Sequence, residues 1–116
     1  MKSISEFEHF FIHRASVDMR KSINGLAAIV EADMKLDLKS SSLFIFCNKP
    51  RTRMKILYFD RSGFALWLKW LDDSKFPWPK NFEEETITVT REDLALLLEG
   101  VNFFTRFKEV HFETVL

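Results

Sequence analysis

Hydrophobic positions along the chain fall into two rhythms, one of three to four residues and one of two. Ile23, Leu26, Ala27, Val30 and Met34 recur at three- and four-residue steps, the stripe of an amphipathic helix. Asp18 suits its N-terminal end by capping or by charge, so the spacing predicts a helix from Asp18 to about Met34. Gly25 inside that stripe costs about 1 kcal/mol relative to Ala, which close packing against a neighbour ordinarily offsets. Phe64, Trp67, Leu68 and Leu71 mark a second helix, with Trp70 widening its apolar face and Ser62 as its N-cap. Leu94, Leu97 and Leu98 mark a third, opened by Thr90 and Asp93 in a near capping box and stopped by Gly100.

The shorter rhythm predicts strands. Phe7–His13 is aromatic-rich, although a short helix is an alternative there. Leu43–Cys47 is a continuous apolar run, as in a strand buried on both faces. In Met54–Phe59 the alternation puts Arg53, Lys55, Leu57 and Phe59 on one face and Met54, Ile56 and Tyr58 on the other. Thr86–Thr90 alternates through Ile87 and Val89. Phe76-Pro77-Trp78-Pro79 is irregular, because neither proline tolerates a helix interior. The order β-α-β-β-α-β-α implies a small α+β domain, of which a ferredoxin-like (split βαβ) sheet with helices on one face is one form. The expected core is Leu26, Val30, Phe44, Phe46, Ile56, Tyr58, Trp67, Leu71, Leu97 and Leu98. Phe103, Phe104, Phe107 and Phe112 in the tail are placed to cover an edge of it.

Composition makes this core affordable in a chain of 116 residues: thirteen are Phe, each burying a large apolar area. That length has room for one ordinary domain, taken as 1–116. A single cysteine, Cys47, excludes an intramolecular disulfide and fits a reducing cytoplasm. No apolar run approaches the roughly 20 residues that span a bilayer, and no signal-peptide pattern is visible.

Formal net charge is zero, which argues against a generally basic nucleic-acid binder, but the zero is a sum of segregated patches. Lys49, Arg51, Arg53, Lys55 and Arg61 stand against Asp60 alone, and Glu83, Glu84, Glu85, Glu92, Asp93 and Glu99 against Arg91 alone. The basic stretch coincides with the loop Asn48–Thr52 between two expected strands, a protruding hairpin tip that can follow a phosphate backbone by counterion release. A solvated turn that keeps a hairpin soluble is the equally simple reading. Arg20 and Lys21 fall in the first turn of the first expected helix, where cations oppose the helix dipole. They suit phosphate or an acidic partner, or an ion pair with Asp18 or Glu31. Trp78, between two prolines, is the tryptophan expected at the surface and, with Glu83, Glu84 and Glu85, the candidate partner-binding patch. Trp67 and Trp70 are expected in the core.

Catalytic chemistry finds little footing. The carboxylates make no recognisable pair on adjacent strands, His9 and His13 lack companions of metal-ligand spacing, and neither common phosphate-binding glycine loop is present. Cys47 sits in an apolar strand, as an inert buried thiol does. No catalytic residue, cofactor or metal is assigned.

Several segments together carry a resemblance. Asp18-Met19-Arg20-Lys21-Ser22-Ile23-Asn24-Gly25-Leu26, Leu43-Phe44-Ile45-Phe46-Cys47-Asn48, the stretch Met54 to Phe64 and Phe76-Pro77-Trp78-Pro79 resemble, in order, the motifs of the TnpB, or second-reading-frame, accessory proteins of the insertion-sequence family numbered sixty-six. The resemblance runs from about Phe10 to Gly100. Pro50 interrupts what is often an unbroken basic loop, and Ser22 stands where glycine is common. The resemblance implies a bacterial, cytoplasmic accessory factor of transposition, encoded beside a separate transposase that carries the catalytic acids. Its partners would be insertion-element DNA, the transposase and the other accessory protein. A protein-interaction module that touches no DNA is the alternative, and a metal-dependent nuclease a weaker one.

Overall fold

The computed structural model describes residues 4–79 and 81–100. A single 3₁₀ turn, Ile4–Glu6, leads into strand β1 (His9–His13). Helix α1 (Ile23–Ile29) follows, its last turn widening to π-helical geometry over Val30–Met34 and ending on Lys35 in the left-handed region (φ 56°). Three consecutive strands come next, β2 (Ser42–Cys47), β3 (Arg53–Asp60) and β4 (Gly63–Trp70). Strand β5 (Thr86–Val89) and helix α2 (Arg91–Leu98) complete the described chain.

The five strands form one mixed sheet in the order β4-β3-β2-β1-β5. β1 and β2 are parallel, joined by the α1 crossover; β2-β3-β4 is an antiparallel meander, and β5 returns antiparallel to β1. The class is therefore α+β, but two expectations are corrected. The segment Phe64–Leu71 is strand β4 rather than a helix, giving β-α-β-β-β-β-α. The split βαβ arrangement does not form, since the strands flanking α1 are direct neighbours instead of being separated by another strand.

The physical reason lies in the turn. Asp60 pairs with Gly63 across the two-residue link Arg61-Ser62, with Arg61 at φ 53°, and so closes a tight hairpin. From there β3 and β4 pair residue for residue out to Arg53 and Trp70. Phe64 to Trp70 is almost wholly apolar, so a stripe of helical spacing can be read in it as easily as a strand, and cross-strand pairing decides.

The helices lie on opposite faces, which corrects the one-face expectation. Phe10, Ile12, Leu43, Ile45, Met54 and Ile56 on one face pack with Leu94 and Leu97 of α2, and with Phe7, Phe76 and Trp78. Phe44, Phe46 and Leu57 on the other pack under Leu26, Val30 and Met34 of α1. β2 is buried along its whole length, as its continuous apolar run requires. Of the expected core, Trp67, Leu71 and Leu98 are only partly buried; the others are buried. α2 begins with a full capping box between Thr90 and Asp93, and Gly100 follows it at φ 82°. The phenylalanines at 103, 104, 107 and 112 lie outside the described residues.

Candidate nucleic-acid interface

The basic segments converge on one end of the sheet. β1 and β2 are parallel and β3 antiparallel to them, so the C-terminal ends of β1 and β2 and the start of β3 lie together. The loop leaving β1 is held there by Val17, whose N–H donates to the Cys47 carbonyl (3.0 Å). Lys55 then ties down the next residues. Its Nζ donates to the carbonyls of Met19 (2.7 Å) and Lys21 (2.8 Å), across the sheet face beneath α1. Residues some 34 apart in sequence are thereby fixed side by side.

This geometry changes the roles of several expected contacts. α1 starts at Ile23, so Arg20 and Lys21 precede it and do not sit in its first turn. The Asp18 carboxylate accepts from the Arg20 backbone N–H (2.9 Å) and from its guanidinium (Nη2 at 2.6 Å), closing a local turn that competes with helix. The adjacent guanidinium holds the exposed Asp18 carboxyl down to about 2, below its usual range. Gly25 admits the stem of Lys21: a Cβ there would stand 3.2 Å from Lys21 Cβ. Lys55, expected to face DNA, is instead a brace for this turn.

The β2–β3 loop is not a free protruding tip. The Asn48 side-chain oxygen accepts from the backbone N–H groups of Thr52 (2.9 Å) and Arg53 (3.0 Å), and its Nδ2 donates to Thr52 Oγ1 (3.1 Å). The Thr52 carbonyl accepts from Leu71 N–H (2.8 Å) and the Arg51 carbonyl from Phe76 N–H (2.7 Å). Arg51 occupies the left-handed region (φ 65°) with its guanidinium 5.3 Å from the Trp78 ring centroid. Arg53 lies over Trp70 at 4.0 Å. Lys49 is exposed at the crest. Arg61 follows the opposite end of β3, whose last residue, Asp60, is seven steps from Arg53, roughly 23 Å at strand rise.

Two tryptophans exchange their expected places. Trp78 is buried (5% exposed) and donates its indole N–H to the Arg14 carbonyl (2.8 Å), so it is a structural anchor and not a surface patch. Trp70 is 65% exposed. Glu83, Glu84 and Glu85 are exposed before β5, where the Glu84 and Glu85 carbonyls hold Arg14. They share the basic end of the sheet, but three strand spacings away from β3, roughly 14 Å. Asn48 was missed as an organiser; an Asn opening a turn-rich loop was its only signal in the sequence. Lys55 gave no signal beyond its charge.

His13 is buried and its Nδ1 lies 2.9 Å from the Ala15 carbonyl; His9 is exposed. Among the described residues no group of three or more His, Cys, Asp and Glu could hold a metal ion. Burial pushes the Cys47 thiol up to about 11. No described helix is long and apolar enough to cross a membrane.

Comparison with known proteins gives these surfaces a context. The uncharacterized protein y4jC of Sinorhizobium fredii is 34% identical over 92 residues, 79% of this chain and 77% of its own length. A second uncharacterized protein of that organism, y4hO, is 30% identical over 93 residues, 80% of each chain. No solved structure matches significantly. Residues 8–107 match the family described as IS66 Orf2-like protein, whose members are accessory proteins of transposition rather than known enzymes. The chain belongs to the IS66 Orf2-like family.

Proposed function

We propose that this protein assists transposition without catalysing it, contacting element DNA through the basic end of its sheet and working in the cytoplasm beside the separate transposase. The Lys55 tether supports this most directly. By holding Met19 and Lys21 over β3, it sets Arg20 and Lys21 on the same end as Lys49 and Arg53. Lys21 and Lys49 are exposed with no ion-pair partner among the described residues, which suits two phosphates on a backbone. Arg20 remains extended into solvent even while paired with Asp18, its side chain 92% exposed. Arg61, at the far end, takes no part.

Binding of duplex DNA across a salt series tests the reading. Replacing Lys21 and Lys49 together by Ala should reduce the slope of log affinity against log salt by about 1.8, at 0.9 per lost contact. The loss should be equal on element-end and unrelated DNA, because phosphate contacts position without reading sequence. A wild-type protein with no salt-dependent binding even at low salt overturns it.

One observation favours the rival reading of a protein-interaction module: Arg51, Arg53 and Lys55 are already engaged with the protein's own rings and carbonyls. On that reading the exposed Glu83–Glu85 run faces the transposase. Co-purification with the transposase that survives nuclease treatment, together with absent DNA binding, selects it.

A further inference from the structure

The two edges of the sheet are built differently. β5 is four residues long, presents Thr88 outward, and follows three exposed glutamates. Short strands and flanking charge are ordinary protection against unwanted pairing. β4 is eight residues long and contains no proline and no acidic residue. Its one charged side chain, Lys69, is turned to the α2 face, where Nζ donates to the Leu98 carbonyl (2.7 Å). Leu68 (53%) and Trp70 (65%) are the exposed large hydrophobic residues of the described chain.

The register of β4 fixes what its open edge offers. Leu71 N–H donates to the Thr52 carbonyl, so residues of that parity, Lys69, Trp67 and Ala65, direct their backbone groups to β3. Phe64, Leu66, Leu68 and Trp70 direct theirs outward, and their side chains share the α1 face of the sheet. The edge thus presents one apolar row over N–H and C=O groups that have no strand partner among the described residues.

We propose that β4 pairs antiparallel with β4 of a second copy of this chain, about a twofold axis at Trp67, joining the two sheets into one. Outward-facing residues must oppose outward-facing residues, which restricts the axis to a few positions. Centred on Trp67, Phe64 meets Trp70 and Leu66 meets Leu68, each twice, while Ala65 faces Lys69. No like charges oppose, and the full strand is matched. Centred one residue earlier, Trp70 would face Ser62 in the turn; one residue later, Phe64 would face Asp72. The apolar row is therefore complementary to itself in one register. The pairing also closes, because among the described strands it uses up the unprotected edge and leaves β5 outermost on both sides.

Light scattering of the full chain should give twice 13.8 kDa. The Leu68→Lys, Trp70→Lys double variant should give a monomer with the circular dichroism of the wild type. Register is read by cysteine cross-linking, for which the buried Cys47 offers no competition. A mixture of Leu66→Cys and Leu68→Cys proteins should form a disulfide-linked dimer on mild oxidation, since directly opposed Cα atoms lie about 5.5 Å apart, within disulfide reach. Each variant alone should cross-link far less. A monomeric wild type, whether its edge is covered by residues 101–116 or left for another protein, overturns the proposal. So does a dimer that survives the double lysine variant, or equal cross-linking by the single variants. Should the double variant fail to fold, the cross-linking pattern still decides.

Discussion

Lys55→Met isolates the tether from the charge it carries. Methionine keeps most of the apolar stem lying on the sheet but removes the ammonium group, and with it the donations to Met19 and Lys21 at 2.7 and 2.8 Å. A hydrogen bond to a charged group contributes about 1.5–3 kcal/mol when its partner is left unsatisfied. Lys55 is half-buried and water can reach part of the vacated position, so the two bonds together should be worth about 2 kcal/mol rather than their full sum. At an unfolding entropy of about 2.1 cal/mol/K per residue, a chain of 116 residues loses about 4 °C of Tm per kcal/mol, so the expected shift is about 8 °C. Calorimetry measures it. In the same variant the salt slope of DNA binding should fall by well under the ~0.9 of a phosphate contact, because this ammonium is engaged by two carbonyls. An unchanged Tm with a full loss of 0.9 in slope would falsify the tether and return Lys55 to the binding surface.

Other consequences are open to direct measurement. Leu97→Ala should lose about 2–5 kcal/mol in denaturant unfolding, since the side chain is wholly buried between α2 and the sheet; an unchanged midpoint contradicts that packing. Cys47 should resist a thiol reagent at pH 8 in the folded protein and react at once in denaturant, because burial holds the thiol at about 11; rapid labelling of the native state would count against it. The Asp18 carboxyl should titrate by NMR at about 2, and Arg20→Ala should return it toward 3.8. Because the folded value is the lower one, the Asp18–Arg20 pair contributes stability above about pH 4 and loses it as pH falls through 2, and a midpoint near 4 in the wild type would show that the pair does not form in solution.

Legibility in the sequence followed the burial pattern. β2 was readable because a strand covered on both faces must be apolar throughout, and Leu43–Cys47 is. α2 was readable because Thr90, Asp93 and Gly100 mark its ends by local chemistry that tertiary contacts leave intact. β4 was not, since its identity depends on pairing with β3, and a nearly continuous apolar run carries no period of its own. The site divides the same way. Charge located the basic end, but whether a given cation faces solvent, a ring or a carbonyl is a property of the fold. Lys49 and Lys55, alike in sequence, end in opposite roles. Trp78 leaves the surface position its flanking prolines suggest because its indole reaches the part-buried Arg14 carbonyl, 64 residues away in sequence.

The position of β1 in the sheet has a kinetic consequence. β1 is an inner strand, yet one neighbour, β5, lies more than seventy residues downstream, with Phe10 opposite Val89. During synthesis the β2–β3–β4 meander emerges with all its mates at hand, whereas β1 must wait with one side unfilled. Joining it to β5 closes a long loop, the kind of late, non-local event that slows folding and leaves incomplete species prone to aggregate. Chains ending before Thr86 would carry the whole meander and still be unable to cover Phe10 and Ile12. β5, the last of the described strands to leave the ribosome, completes the bed of β1.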